Sequence, residues 1–378
     1  MGGFFMKRID YDTVPIENTH IASITAIDSP FQLKKEIVNP NRGLVAKTRQ
    51  EIRDILHGED TWRLMVATGP CSLHDRPASL EYAQGVSHLR SRYEDSLVII
   101  MRGYVEKPRT TLGWTGMIND PHLDGSFDII TGLATSRQLL ADINNLGVPC
   151  AVEFVSLDTP QYYGDLVSWA AIGARTTEAP VYRHLASGLS IPVGFKNSTE
   201  GNIQVAVDAM VTAKSPHIIT GINEYAQEAK IDTTGNPDTH IVLRGGGGAT
   251  NYDAVSINIA INLVRQAGLL TETNRPIMID CSHGNSEKKF KLQSVAAENA
   301  LEQIRSGQRR IMGLMFESHL HEGNQQWIAG QPLKYGVSIT DSCINWEETE
   351  RLLETIAKAL GPKRYVLNPS IGSSTYEN

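Results

Sequence analysis

Short apolar runs alternate with stretches of helical spacing along most of the chain, and this rhythm limits the possible folds more than any other feature. Eight runs read as buried strands, at 63–68, 97–101, 150–154, 170–174, 191–196, 240–244, 276–280 and 311–315. Each is followed by a predicted helix, at about 78–93, 134–146, around Gln161, from 181, 203–213, 253–267, 288–304 and from Asn345. Asn345 and Glu348 form a predicted capping box for the last helix. Eight strand–helix units is the count of a (β/α)8 TIM barrel. A doubly wound sheet is the competing architecture, because the rhythm alone does not show closure.

One β pair breaks the rhythm. His217–Thr220 and Ala229–Asp232 precede the strand at Ile241 with no helix between, so a hairpin inserted at about 217–234 is expected. Residues 1–60 read as an N-terminal extension, punctuated by Val14-Pro15 and Ser29-Pro30 and helical from about Leu44 to His57, where Gly58 ends the pattern. The barrel with its hairpin then spans 61–361, and 362–378 form a tail.

Composition narrows the function. A net charge of −7 over 378 residues argues against nucleic acid as a partner, so an anionic ligand must meet a local cationic pocket. No apolar run is long enough to span a membrane and no secretory signal is visible, so no membrane partner is expected. The four cysteines make no small-domain framework, which fits a reducing cytoplasm.

Barrel enzymes place their chemistry at the C-terminal ends of the strands. Here those positions hold Cys71, Arg102 with Lys107, Glu153, Arg175, Lys196, Arg244, His283 and Glu317. The segment Arg102–Thr111 adds Arg109, Thr110 and a stiffening Pro108. Guanidinium forks and ammonium points converging on one mouth suit two phosphorylated ligands. Cys71, His283 and Glu317, with Asp341 beyond the last strand, offer sulfur, nitrogen and two oxygens, a set for a borderline divalent ion. Singly, each has a plainer reading as a packed thiol, a solvated loop residue or an ion-pair partner. Their joint placement carries the argument.

The motifs themselves are specific. They are Gly69-Pro70-Cys71-Ser72-Leu73-His74-Asp75, Arg102 through Thr111, Gly173-Ala174-Arg175-Thr176-Thr177-Glu178, Gly194-Phe195-Lys196-Asn197 and Leu243-Arg244-Gly245-Gly246. Asp280-Cys281-Ser282-His283-Gly284-Asn285-Ser286, Glu317-Ser318-His319 and Ser338 through Cys343 complete the set. Together they resemble the type I 3-deoxy-D-arabino-heptulosonate 7-phosphate (DAHP) synthases of the microbial, aromatic-amino-acid-regulated group, over about residues 15–360. One departure is the tract Gly245–Tyr252, where the family usually has a proline before the Asn-Tyr pair.

The resemblance implies condensation of phosphoenolpyruvate with erythrose 4-phosphate, the first step of the shikimate pathway. It implies that Cys71, His283, Glu317 and Asp341 hold a divalent metal (Mn, Co, Fe or Zn). Arg102, Arg175, Lys196 and Arg244 would grip phosphoenolpyruvate, Lys107 would stand between the substrates, and Arg109 and Thr110 would take the sugar phosphate. Glu153 would orient the water that adds. The rival is a 3-deoxy-octulosonate 8-phosphate synthase, whose Lys-Ala-Asn-Arg-Ser-Ser type segment differs from Lys107-Pro108-Arg109-Thr110-Thr111 here. A non-catalytic regulatory barrel would be expected to have lost a metal ligand or Lys107, and none is lost.

The resemblance also implies an allosteric pocket at the hairpin, lined by Asn18, Pro160, Gln161, Leu189, Ser190, Ile219, Gly221 and Ile231, and a homodimer or homotetramer built with the extension. Gly221, where phenylalanine-sensitive relatives carry Ser, resembles the tyrosine-sensitive group, with space for a phenolic oxygen. Cys343, two residues after Asp341, is expected near Cys71.

Overall fold

A computed structural model of the chain describes residues 16–361, apart from 112 and 329. The outermost part of the expected extension, with Val14-Pro15, and the tail 362–378 lie outside the described residues. Eight parallel strands close into a barrel: β1 (Leu64–Gly69), β2 (Leu97–Arg102), β3 (Cys150–Glu153), β4 (Val167–Ile172), β5 (Val193–Lys196), β8 (Thr239–Leu243), β9 (Ile277–Asp280) and β10 (Ile311–Glu317). The order around the barrel is β1-β10-β9-β8-β5-β4-β3-β2, with Met65 of β1 paired to Gly313 on one side and Val98 on the other. Closure excludes the doubly wound alternative. All eight strands are buried on both faces, which is why they read as continuous apolar runs.

The helices that follow these strands are α3 (Arg76–Tyr93), α4 (Ile129–Asn145), α5 (Thr159–Tyr163), α6 (Pro180–Ser187), α7 (Gln204–Lys214), α8 (Ala254–Gln266), α9 (Gln293–Arg305) and α10 (Trp346–Leu360). Helix α9 starts later than the spacing predicts, because Glu287 and Lys288 hold left-handed backbones at φ 50° and 60°. Asn345 accepts from the Glu348 N–H at 2.9 Å, but the Glu348 carboxylate turns to Arg351 instead of closing the predicted capping box. Strand β6 (Ile218–Ile222) and β7 (Glu228–Asp232) form an antiparallel hairpin separate from the barrel sheet, as the missing helix predicts.

Among the described residues, two helices precede the barrel. The pair Ser29-Pro30, read as punctuation, starts α1 (Pro30–Glu36), with Ser29 and Gln32 making a reciprocal capping box. Helix α2 (Arg42–His57) is stopped by Gly58 at φ 83°, a conformation that suits glycine. Its Ile52, Ile55 and Leu56 pack with Met65, Ala67, Trp169, Met278, Met312 and Met315 in the barrel interior. The helix thus plugs the end opposite the site, and Arg49 fastens it by donating to the carbonyls of Val167 (2.9 Å) and Gly164 (2.7 Å). Trp169 fills the interior above the plug and donates its indole N–H to His240 Nε2 at 2.8 Å. Burial holds His240 neutral, lowering its pKa to about 4.

Candidate active site and effector cavity

The strand ends meet at a cavity of about 270 Å³. Lys107, Arg109, Glu153, Arg175, Lys196, Arg244, His283, Glu317 and Asp341 all line it. Arg102 and Cys71 lie fully buried beneath, and Thr110 sits exposed at the rim, where it accepts from Arg175 Nε at 2.8 Å. Sequence reasoning missed Thr199, Lys288 and Asn324, which also line the cavity, as does Ser286 from the His283 motif. Lys288 lies two residues past the His283 motif and adds a further cation to the mouth.

Arg102 leaves the end of β2 and donates from Nη2 to Glu317 Oε1 at 3.0 Å. Its guanidinium also covers the Tyr104 ring, 3.9 Å from the centroid. Lys107 bends back over the cluster and donates to the Cys71 carbonyl at 3.1 Å and to Cys71 Sγ at 3.2 Å. Burial by itself would lower the Lys107 pKa, but Cys71, Glu317, Asp341 and Glu153 together raise it, so the ammonium stays charged.

The ligand atoms of Cys71, Glu317 and Asp341 lie within 4.8 Å of one another. His283 joins through Nε2, at 3.6 Å from Glu317 Oε1 and 4.0 Å from Asp341 Oδ2. The other face of that ring is occupied: Asp280 Oδ2 stands 2.9 Å and Ser282 Oγ 2.7 Å from Nδ1. This leaves Nε2 as the nitrogen turned toward the carboxylates, the arrangement a ligating imidazole needs. Cys71 Sγ faces the same point; burial first and Glu317 next push its pKa up to about 12, a direction that a bound divalent cation would reverse. The donor set therefore fits a divalent ion.

Asp280 was not singled out from the sequence, and it is the shared support of two site residues. Its Oδ2 pairs with Lys196 Nζ at 3.1 Å as well as with His283. Burial would raise its pKa, but the neighbouring His283 ring and Lys196 ammonium hold it well below the ordinary carboxylate range. A buried Asp closing an apolar strand was the available signal.

The glycine tract that departs from the family pattern packs three loops together. A Cβ on Gly245 would stand 2.6 Å from the Gly284 carbonyl carbon, and one on Gly246 would stand 2.4 Å from the Gly201 nitrogen. Asn251 locks the tract, accepting from the Gly245 N–H at 2.7 Å and donating to Asn197 Oδ1 at 3.1 Å. Asn197 in turn accepts from the Arg244 N–H at 2.8 Å, so the loop aims the arginine without the proline.

A second, larger cavity of about 650 Å³ lies between α5, α6 and the hairpin. Pro160, Gln161, Leu189, Ser190, Ile219, Gly221 and Ile231 are among the residues that line it. Asn18 does not: it is exposed and outside this lining. Gly221 has no positive φ, so its backbone does not require glycine.

The fold and the site define a (β/α)8 enzyme that gathers anionic substrates beside a cation cluster. The DAHP synthetase I family model matches residues 33–354, and the chain belongs to that family. It is 48% identical over 351 residues to the Tyr-sensitive phospho-2-dehydro-3-deoxyheptonate aldolase of Escherichia coli K12, covering 91% of this chain and 96% of the relative. It is 50% identical over 320 residues to the Phe-sensitive enzyme of the same organism, covering 85% and 90%. A solved phospho-2-dehydro-3-deoxyheptonate aldolase from Francisella tularensis SCHU S4 superposes with a TM-score of 0.86 at 42% identity, over 90% of this chain and 98% of that one.

Proposed function

We propose that the chain condenses phosphoenolpyruvate with erythrose 4-phosphate and water to give DAHP and phosphate, the first step of the shikimate pathway. The observation that carries the reading is the convergence of Lys107, Arg175, Lys196 and Arg244 on the cavity that also holds the ligand cluster. Arg102, Arg175, Lys196 and Arg244 neutralise the phosphate and carboxylate of phosphoenolpyruvate, and Arg109 with Thr110 takes the sugar phosphate. Without those cations the two anionic substrates would repel each other.

Cys71, His283, Glu317 and Asp341 would hold the divalent ion, with Mn, Co, Fe and Zn all compatible with the donor set. Such an ion would supply a Lewis acid for the aldehyde oxygen. Lys107 donates a hydrogen bond to the same oxygen as negative charge grows on it, while the methylene carbon of phosphoenolpyruvate attacks. Glu153, at the cavity wall, orients the water that adds at the carbon bearing the phosphate, and phosphate then leaves. The second cavity binds an aromatic amino acid, tyrosine, as a feedback inhibitor. The exposed Ile16, Ile21 and Ile24 of the extension support a homodimer or homotetramer.

Loss of phosphoenolpyruvate absorbance, followed with erythrose 4-phosphate or arabinose 5-phosphate, tests the reading. Turnover with the four-carbon sugar is expected. Preference for arabinose 5-phosphate would make the chain an octulosonate 8-phosphate synthase, and no turnover with either would make it a regulatory barrel.

A further inference from the structure

The loop after β9 holds His283, Glu287 and Lys288 on left-handed backbone, at φ 54°, 50° and 60°. Residues with a side chain seldom adopt that conformation, and it persists only where the surroundings over-determine it. Here the loop is folded back on itself. The N–H groups of Glu287, Lys288 and Lys289 donate to the carbonyls of Gly284 (3.1 Å), His283 (2.9 Å) and Ser286 (2.7 Å). The result is that Lys288 lines the substrate cavity, while Glu287 and Lys289 on either side stay outside its lining and pair with each other at 2.8 Å. Lys288 is exposed and, among the described residues, has no carboxylate within ion-pair distance.

The cations of the site lie at two depths. Lys107 and Lys196 are buried on the floor of the cavity and Arg102 beneath it, whereas Arg109 and Lys288 are exposed at the rim. Arg175 is exposed as well, but its Nε is spent on Thr110 Oγ1 at 2.8 Å. Lys288 and Arg109 also act on the same neighbour: burial would raise the Asp341 pKa, but His283, Lys107, Lys288 and Arg109 together hold it below its ordinary value. A phosphate monoester carries about 1.5 to 2 negative charges near neutral pH, more than one guanidinium offsets.

We propose that Lys288 is a further substrate-binding residue, the second cation for the phosphate of the sugar, acting beside Arg109 from the β9 side of the mouth. The inference rests on the reading of this cavity as a site for phosphoenolpyruvate and a four-carbon sugar phosphate. The two cations have different parts. Arg109 offers a planar fork that fixes the orientation of the phosphate, and Lys288 a point charge on a flexible stem that follows it in from solvent. Because both stand at the rim, the phosphate stays at the mouth and the aldehyde end of the sugar points down to Lys107. The buried floor cations are left to phosphoenolpyruvate.

The test is steady-state kinetics on full-length, metal-loaded protein, with KM measured separately for erythrose 4-phosphate and phosphoenolpyruvate. Lys288→Gln should raise the KM for erythrose 4-phosphate about tenfold, the low end for a hydrogen bond to a charged group, and move that for phosphoenolpyruvate by less than about twofold. Lys288→Arg restores the charge and should recover most of the loss. Lys289→Gln removes an equal charge one residue on, outside the cavity lining, and should leave both constants at their wild-type values. The Lys288→Gln defect should shrink with added salt, since a contact at the rim is screened. An unchanged KM for erythrose 4-phosphate in Lys288→Gln overturns the proposal. So does a rise shared equally by both substrates, or one matched by Lys289→Gln, because either would make Lys288 part of the general field of the mouth. A fall in turnover with no rise in KM also overturns it, by giving Lys288 only a part in the support of His283. If wild type does not consume phosphoenolpyruvate with erythrose 4-phosphate, the reading of the cavity fails and the inference with it; the variant outcomes leave that reading intact.

Discussion

The ammonium of Lys107 lies 3.2 Å from the sulfur of Cys71, so one cation serves both the floor of the substrate cavity and the edge of the ligand cluster. The contact gives Lys107 a fixed place before any substrate arrives. Replacing Lys107 with Met keeps the stem and removes the charge. It should cost about 10²–10³-fold in kcat, the magnitude of one preorganised donor to a developing oxyanion. Steady-state kinetics on the variant checks this, and a kcat near wild type would take Lys107 out of the chemistry.

Metal dependence follows from the donor set. Chelation should abolish turnover, and added Mn, Co or Fe should restore it, because Cys71, His283, Glu317 and Asp341 present sulfur, nitrogen and oxygen around one point. Full activity of Cys71→Ala in metal-free buffer would defeat the assignment.

The cysteines give a redox prediction. Asp341 joins two sulfurs: its N–H reaches Cys71 Sγ at 3.4 Å, and its carbonyl accepts from Cys343 Sγ at 3.6 Å. In metal-free protein exposed to oxygen, the freed Cys71 should form a disulfide with Cys343. Peptide mass mapping should find that pair, and its absence from oxidised, metal-free protein would sink the idea.

The barrel and most of the site could be read from the chain because both are written locally. Strands buried on two faces leave continuous apolar runs, and a loop after each strand leaves one ionisable residue at its start. What stayed hidden depends on partners far away in sequence. Glu106 and Asp280 are visible as carboxylates, but nothing near them shows that Tyr163 or Lys196 completes them. Helix α2 has the same amphipathic pattern as a surface helix, so its apolar face does not say that it enters the barrel. Asn18, placed in the larger cavity by resemblance, belongs to a stretch before the first helix whose path is not fixed by a helical or strand pattern.

The plug formed by α2 predicts a stability effect at a position far from the site. Ile55 is fully buried against the barrel interior, and its truncation leaves a void that methionines can fill only in part. Ile55→Ala should lower unfolding stability by about 2–5 kcal/mol, as for other buried Ile-to-Ala changes. Denaturant melts of both proteins measure it, and a change near zero would mean that α2 is not part of the barrel's core.

The choice of effector is predicted to turn on Gly221. It sits in β6 opposite Ala229, in the wall of the larger cavity, with an ordinary backbone that would accept a side chain. A Cβ there would stand 2.9 Å from Ile231 Cδ1, so any substituent must push that methyl aside or extend into the cavity. The hydroxymethyl of serine would then occupy volume that a phenol oxygen needs, whereas phenylalanine asks for none of it. Crowding of this kind costs about 1–3 kcal/mol, and each 1.4 kcal/mol is about tenfold in affinity. Gly221→Ser should therefore raise the tyrosine inhibition constant by about tenfold or more and move preference toward phenylalanine. Inhibition curves with each aromatic amino acid on both proteins decide the matter. If millimolar tyrosine leaves the wild-type rate untouched, the hairpin cavity is not a tyrosine site; if the substitution weakens both amino acids equally, Gly221 does not select between them.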